Sequence, residues 1–271
     1  MRAARVAVVQ FPGVNCESES VLALSRVGLE PEIFRWTRPA GELHDYQAFV
    51  LPGGFAYQDR VRAGALAAKH PMMEVLAEEV ERGKPVLGIC NGAQALVESG
   101  LVPGSGTVEL ALARNRMTGR SGYFNRWILA RVEASECVFT RHLAPGTVLP
   151  LPVAHGEGRF TTRDPARLTA LARAGLAPLR YAGADGRLAR RFPDNPNGSR
   201  GAIAAMCNSR GNVLAMMPHP ERAQDAGAVA RGVTGAWAER RRAAADAPDG
   251  LSGGGPGLLL FEGLARHLVR A

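Results

Sequence analysis

Lysine is nearly absent from this 271-residue chain: Lys69 and Lys84 stand among 33 lysine and arginine residues. The formal charge of +8 is therefore an arginine charge. The arginines are scattered, and no stretch interleaves them with aromatic residues, which make up only 6% of the chain. A nucleic-acid groove is not written into such a pattern, and the charge reads as a solvated surface that aids docking or phosphate binding. Long apolar runs are missing too. No segment approaches the ~20 apolar residues that cross a bilayer, and Val6 to Val9, behind Arg2 and Arg5, is too short for a signal-peptide core. No membrane or nucleic-acid partner is expected, and the location is expected to be cytoplasmic. The cysteines, Cys16, Cys90, Cys137 and Cys207, form no CxxC pair and have no histidine at zinc-site spacing. Free thiols in a reducing compartment and no metal are the expectation. Internal repeats are absent, as is any glycine-rich loop of the kind that cradles the phosphates of ATP.

What is present is a core and one conspicuous turn. Apolar residues make up 46% of the chain, ample for a buried interior. The stretch Gly83-Lys84-Pro85-Val86-Leu87-Gly88-Ile89-Cys90-Asn91-Gly92-Ala93-Gln94 is a short apolar strand running into Cys90 and then into a helix. Gly88 and Gly92 bracket the cysteine two residues away on each side, the small-x-nucleophile-x-small pattern of a strand-to-helix elbow. A thiol there projects from the carboxyl edge of a sheet, and the amides of the following helix favour its thiolate.

The rest of the chain supplies a sheet for that elbow. Strands are expected at Arg5–Gln10, Glu32–Arg35, Ala48–Leu51 and Val86–Ile89, with helices over Ser18–Val27, capped by Asn15 or Ser18, and within Ala63–Glu81. This alternation predicts an α/β fold with an open, mainly parallel sheet flanked by helices. Ligands collect beyond the carboxyl ends of such strands, where Phe11 to Asn15, Pro52 to Phe55 and Cys90 would meet. Gly122–Val132, Thr147–Val153 and Leu179–Tyr181 read as an antiparallel β addition to that sheet, and Ala202–Cys207 with Asn212–Met217 as a hairpin. Residues 1–271 are therefore expected to form a single domain. A surface excursion with one helix is expected over about 223–256, and a closing helix over Leu258–Val269.

A cysteine nucleophile needs a base and an orienter for that base. Met216-Met217-Pro218-His219-Pro220-Glu221 offers both. Two prolines predict an extended segment, in which residues two apart share a side, so Glu221 would reach the His219 imidazole while the other ring nitrogen faces Cys90. The developing oxyanion needs two N–H donors. One is expected from Asn91, and the other from the Gly53-Gly54-Phe55 turn, as the amide of Gly54 or Phe55. Gln94, one helical turn past Cys90, is expected to hydrogen-bond a polar substrate. Alternatives stay open at two points. Cys16 is a rival nucleophile without an elbow, and His155-Gly156-Glu157-Gly158-Arg159-Phe160 holds a rival histidine and carboxylate.

Together these stretches resemble the glutamine amidotransferase subunits of phosphoribosylformylglycinamidine synthases, within the flavodoxin-like class I amidotransferases. The likeness rests on Phe11-Pro12-Gly13-Val14-Asn15-Cys16, Leu51-Pro52-Gly53-Gly54-Phe55, Arg62-Ala63-Gly64-Ala65, Gly88-Ile89-Cys90-Asn91-Gly92, His155 to Phe160, Asn195-Pro196-Asn197-Gly198-Ser199 and Met217-Pro218-His219-Pro220-Glu221-Arg222, in that order. It implies a Cys90–His219–Glu221 triad that hydrolyses glutamine to glutamate and ammonia through a cysteinyl thioester. It also implies delivery of the ammonia to a synthetase large subunit that makes formylglycinamidine ribonucleotide in de novo purine biosynthesis, with a small third subunit aiding assembly. ATP and Mg²⁺ would belong to the synthetase, and no cofactor to this chain. Where this family usually has a glycine before an aspartate, the sequence has Gln58-Asp59. Two other classes compete: a cysteine hydrolase or peptidase on a related fold, and a non-enzymatic nucleic-acid or scaffold protein to which only the basic charge points.

Overall fold

The computed structural model describes residues 3–248 and 250–270, so that Met1, Arg2, Asp249 and Ala271, which fall within the expected domain and excursion, lie outside the described residues. In chain order the elements are β1 (Arg5–Gln10), α1 (Glu17–Arg26), β2 (Glu30–Arg35), β3 (Ala48–Leu51), α2 (Pro71–Glu81), β4 (Val86–Ile89) and α3 (Asn91–Glu98). Then follow β5 (Ala111–Arg114), β6 (Phe124–Val132), β7 (Val148–His155), β8 (Glu157–Thr161), α4 (Pro165–Arg173) and β9 (Leu179–Ala182). The chain closes with β10 (Ile203–Cys207), β11 (Val213–Met216), α5 (Ala236–Ala245) and α6 (Leu258–Arg270).

One sheet runs in the order β2-β1-β3-β4-β11-β10-β9-β6-β7. From β2 to β11 every neighbour is parallel; from β11 to β7 every neighbour is antiparallel. The central strands β3, β4 and β11 are buried at every position, as strands covered on both faces by helices must be. Because the five parallel strands point the same way, the segments after β1, β3, β4 and β11 emerge at one edge. They are laced together there: Asn15 and Cys16 both donate to Gly53 O at 3.2 Å, and Phe55 donates to Gly13 O at 2.9 Å.

Several local expectations are corrected. The helix expected within Ala63–Glu81 occupies only Pro71–Glu81, beginning where the proline needs no N–H and the His70 side chain accepts from Met72 N. Upstream, Gly64 at φ 77° brings its backbone against α3: a Cβ there would lie 2.6 Å from Ala95 N. Helix α1 begins at Glu17 behind Cys16, and neither Asn15 nor Ser18 caps it. His155 to Phe160 turns out to be the end of β7 and most of β8, and β8 pairs with β5 in a second, two-stranded sheet that the sequence reading lacked. Within 223–256, Asp225 bridges to Gly254 and ion-pairs with Arg26, while Gln224 Nε2 donates to Glu19 O at 2.9 Å.

The glycines around Cys90 are required by space. A Cβ on Gly92 would fall 2.0 Å from Leu51 O, and one on Gly88 would fall 2.5 Å from Leu96 Cδ1. The obstacle at Gly92 is not a flexible tip, since Leu51 O is backbone in β3. Gly92→Ala should therefore destabilise the chain by about 3 kcal/mol in denaturant unfolding, the upper range for overpacking. Gly232→Ala, with nothing within 4 Å of its Cβ, should be near neutral.

Candidate active site

Cys90 sits at φ 50°, ψ −102°, a conformation that costs a non-glycine residue ~1–3 kcal/mol. Its amide donates to Met216 O at 2.8 Å, fixing the end of β4 to the end of β11. The side chain makes no cap bond to α3; its Sγ lies 3.6 Å from Ala154 O at the end of β7. The thiol is thus held by strand geometry and faces a cavity of about 400 Å³ that Cys16, Phe55, Tyr123, His155 and His219 also line.

The histidine arrives from the segment after β11. His219 N donates to Pro152 O at 2.8 Å, which anchors it against β7, and Nδ1 meets Glu221 Oε1 at 2.5 Å with both side chains buried. The predicted extended path is corrected here: Pro220–Arg222 forms a 3₁₀ turn, which Pro220 can open because its missing N–H is not needed. The carboxylate on Nδ1 selects the tautomer with that proton shared toward Glu221, leaving Nε2 free; among the described residues Nε2 has no hydrogen-bond partner. Burial works against charging this ring. The negative charge of Glu221, with a smaller contribution from the neighbouring Cys90 and Cys16 sulfurs, outweighs it and holds the pKa well above the ordinary histidine value.

The two oxyanion donors expected beside Cys90 are partly reassigned. The Phe55 amide is spent on Gly13 O, whereas the Gly54 amide has no partner among the described residues. Gly54, at φ 147°, could not carry a side chain, because a Cβ would lie 2.6 Å from Val14 Cα. Asn91 opens α3, so its N–H is one of the unpaired first-turn donors. Gly53 is small for a different reason: its Cβ would fall 2.7 Å from His219 Cε1. Phe55 instead stacks its ring on Tyr123 at the cavity rim, with centroids 6.4 Å apart and both side chains about half exposed (46% and 51%).

Gln94 lines the Cys90 cavity, and its side chain is also braced from within the protein. Its Oε1 accepts from Asn91 Nδ2 at 2.9 Å and its Nε2 donates to Glu157 O at 2.7 Å. Asn91 Nδ2 also donates to Asp59 Oδ1 at 2.9 Å, and its Oδ1 accepts from Ala56 N at 2.8 Å. These bonds hold the loop in which Tyr57, Gln58 and Asp59 all have positive φ, so Gln58, at φ 59°, takes a left-handed backbone without being glycine.

The rival residues also lie at this edge. His155 Nδ1 faces the Asn115 amide oxygen at 3.1 Å rather than a carboxylate, and burial, then the charge of His219, pushes its pKa down to about 3. It is a neutral wall of the cavity at working pH. Cys16 is buried beside His219 and accepts from Arg222 Nη2 at 3.0 Å. The sequence reading gave Arg222 no role, although it closes the Met217-Pro218-His219-Pro220-Glu221-Arg222 stretch.

A cysteine on a strained elbow at the carboxyl edge of a parallel sheet, sharing a cavity with a carboxylate-bound histidine, is the arrangement expected of a triad glutamine amidotransferase. Comparison with known proteins agrees: residues 3–244 match the CobB/CobQ-like glutamine amidotransferase domain family. More narrowly, the chain belongs to the family of phosphoribosylformylglycinamidine synthase subunit PurQ. It is 42% identical to that subunit from Methanothrix thermoacetophila over 97% of this chain and 98% of the relative. With the one from Thermus thermophilus it shares 43% identity over 82% of this chain and 90% of the relative. The solved structure of PurLQS from Thermotoga maritima contains a chain of the same fold, with a TM-score of 0.72 at 32% identity, covering 99% of this chain and 100% of that one. This membership sets aside the peptidase and scaffold alternatives. No helix among the described residues is long and apolar enough to cross a membrane.

Proposed function

We propose that this protein is the glutaminase subunit of a phosphoribosylformylglycinamidine synthase. Cys90 Sγ passes its proton to His219 Nε2 and attacks the side-chain carbonyl carbon of glutamine. The oxyanion forms between the amides of Gly54 and Asn91. His219 then gives that proton to the departing ammonia, and water, deprotonated by the same nitrogen, hydrolyses the γ-glutamyl thioester to glutamate and free thiol. The observation that carries this reading is the buried His219 ring, bound to Glu221 through Nδ1 and unpartnered at Nε2 on the wall of the Cys90 cavity.

The ammonia goes to a synthetase large subunit, which holds ATP and Mg²⁺, and a small third subunit joins the assembly. An exposed rim beside the cavity mouth supports docking at this face: Phe55, Tyr123 and Val61, the last 88% exposed. Residues 1–271 act as one cytoplasmic amidotransferase domain with 223–256 at its surface. The test is ammonia release from glutamine with and without the cognate synthetase. Weak basal release that rises on adding the partner is expected. No ammonia under either condition, or peptide cleavage with Cys90 unreactive to a glutamine-mimicking affinity label, rejects the reading.

A further inference from the structure

A cavity larger than the one that holds Cys90 lies elsewhere in the protein. About 1140 Å³ in volume, it lies between β8, α4, β9 and the 195–202 turn, and shares no lining residue with the triad cavity. Its walls carry six guanidinium groups, from Arg116, Arg159, Arg180, Arg187, Arg190 and Arg200, against the two carboxylates of Asp185 and Asp194. Arg187 stands 3.8 Å from Asp185; among the described residues the other five have no carboxylate within ion-pair reach. Unpaired arginines on an open surface are ordinary, but Arg159 and Arg180 are partly buried here. Arg180 is fixed by donation from Nε to Gly201 O at 2.6 Å, and the carboxylate nearest in charge, Glu133, is already paired with Arg131 at 3.1 Å. Burial and, at Arg159, the neighbouring charge of Arg116 both disfavour the charged forms. Charges gathered at such cost are relieved by an anion.

The walls also say what kind of anion fits. At Gly201 a Cβ would lie 3.0 Å from Arg180 Nη2, and at Gly198 it would lie 3.1 Å from Arg116 Cβ, so glycine keeps both arginines clear. The amides of Arg200 and Gly201 have no partner among the described residues, and Gly201 sits at φ 63°, the turn conformation that aims successive N–H groups at an oxyanion. Addition of a partner's β-strand is closed off, because Asn197 Nδ2 donates to Gly158 O at 2.7 Å and Phe160 N donates to Ser199 Oγ at 3.1 Å along the free side of β8. Asp185 Oδ1 and Asp194 Oδ2 converge on Gly183, 3.2 and 3.5 Å from where its Cβ would be, and form an acceptor pair suited to hydroxyl donors.

We propose that this cavity binds a small phosphate ester of the nucleotide or sugar-phosphate class, its phosphate on Arg116, Arg159 and Arg180 and its hydroxyl groups on Asp185 and Asp194. The probes are ribose 5-phosphate, AMP and inorganic phosphate, titrated calorimetrically into the full chain at low salt. Saturable binding of one ester per chain is expected, tighter than inorganic phosphate and weakened at least about tenfold in Arg180→Ala. Asp185→Asn should erase the advantage of the ester over inorganic phosphate. Should Arg180→Ala fail to fold by circular dichroism, Arg190→Glu and Arg200→Glu, both exposed, report the same loss. No binding of any probe, binding unchanged in the arginine variants, inorganic phosphate binding as tightly as the esters, or an oligoglutamate peptide binding more tightly than either ester overturns the proposal. None of these readouts involves glutamine, so failure here and failure of the glutaminase reading are separable.

Discussion

Cys90→Ala should lower ammonia release from glutamine by about 10⁴-fold or more, with the partner synthetase present and absent alike, because no other group can form the thioester. Cys16 does not replace it. That sulfur is occupied by the Arg222 guanidinium and sits at the start of helix α1, without the strained strand-to-helix elbow that presents Cys90. Cys16→Ser should accordingly retain most of the activity that Cys90→Ala loses. The backbone gives the same substitution a second signature. At φ 50°, ψ −102° alanine keeps the strain of the elbow while glycine relieves it, so Cys90→Gly should be more stable than Cys90→Ala by about 1 kcal/mol, the reverse of their usual order. Equal stability of the two variants would mean that the elbow is unstrained in solution; substantial turnover by either would remove Cys90 from the mechanism.

The legible parts of this protein are those governed by neighbours in sequence. β1, β3 and β4 have the bounds expected from Arg5–Gln10, Ala48–Leu51 and Val86–Ile89, since each is an apolar run closed by a glycine or proline turn. Cys90, His219 and Glu221 were legible for the same reason: the elbow needs Gly88 and Gly92, and the histidine and its carboxylate are two residues apart. What was illegible depends on contacts over long separations. Alanines 63, 65, 67 and 68 imitate a helical face, and only the approach of Gly64 to Ala95, thirty-odd residues on, shows why the helix waits for Pro71. β5 and β8 are short, and their pairing joins segments that carry no shared signal. Gln94 lines the cavity as a substrate contact would, but the bond from its amide to Glu157 O at the start of β8 joins residues too far apart in sequence to be read.

Glu221→Gln should cut the glutaminase rate by roughly 10³- to 10⁴-fold, the scale seen when a triad carboxylate is made neutral. The amide can turn its NH₂ toward Nδ1, which moves the ring proton to Nε2 and leaves no base facing Cys90. Glu221→Asp keeps the charge and should lose less, with a raised KM leaving the pH profile near that of the parent. A structural defect alone would not separate the two variants this way. The pH dependence of stability carries an independent sign. In the parent the folded pKa of His219 is raised above its unfolded value of about 6.5, so its contribution is complete below about pH 6.5 and is lost as pH rises through the folded pKa. Removing the Glu221 charge leaves burial opposed only by the two thiols. His155, buried without a carboxylate, shows where burial drives a ring at this edge, with a pKa of about 3. Denaturant unfolding between about pH 6 and pH 9 should therefore show parental stability falling relative to Glu221→Gln as pH rises, the gap closing above the folded pKa. A gap that stays constant across that range would mean that the His219–Glu221 contact is not an ion pair, and the base would then have to be sought elsewhere on the cavity wall.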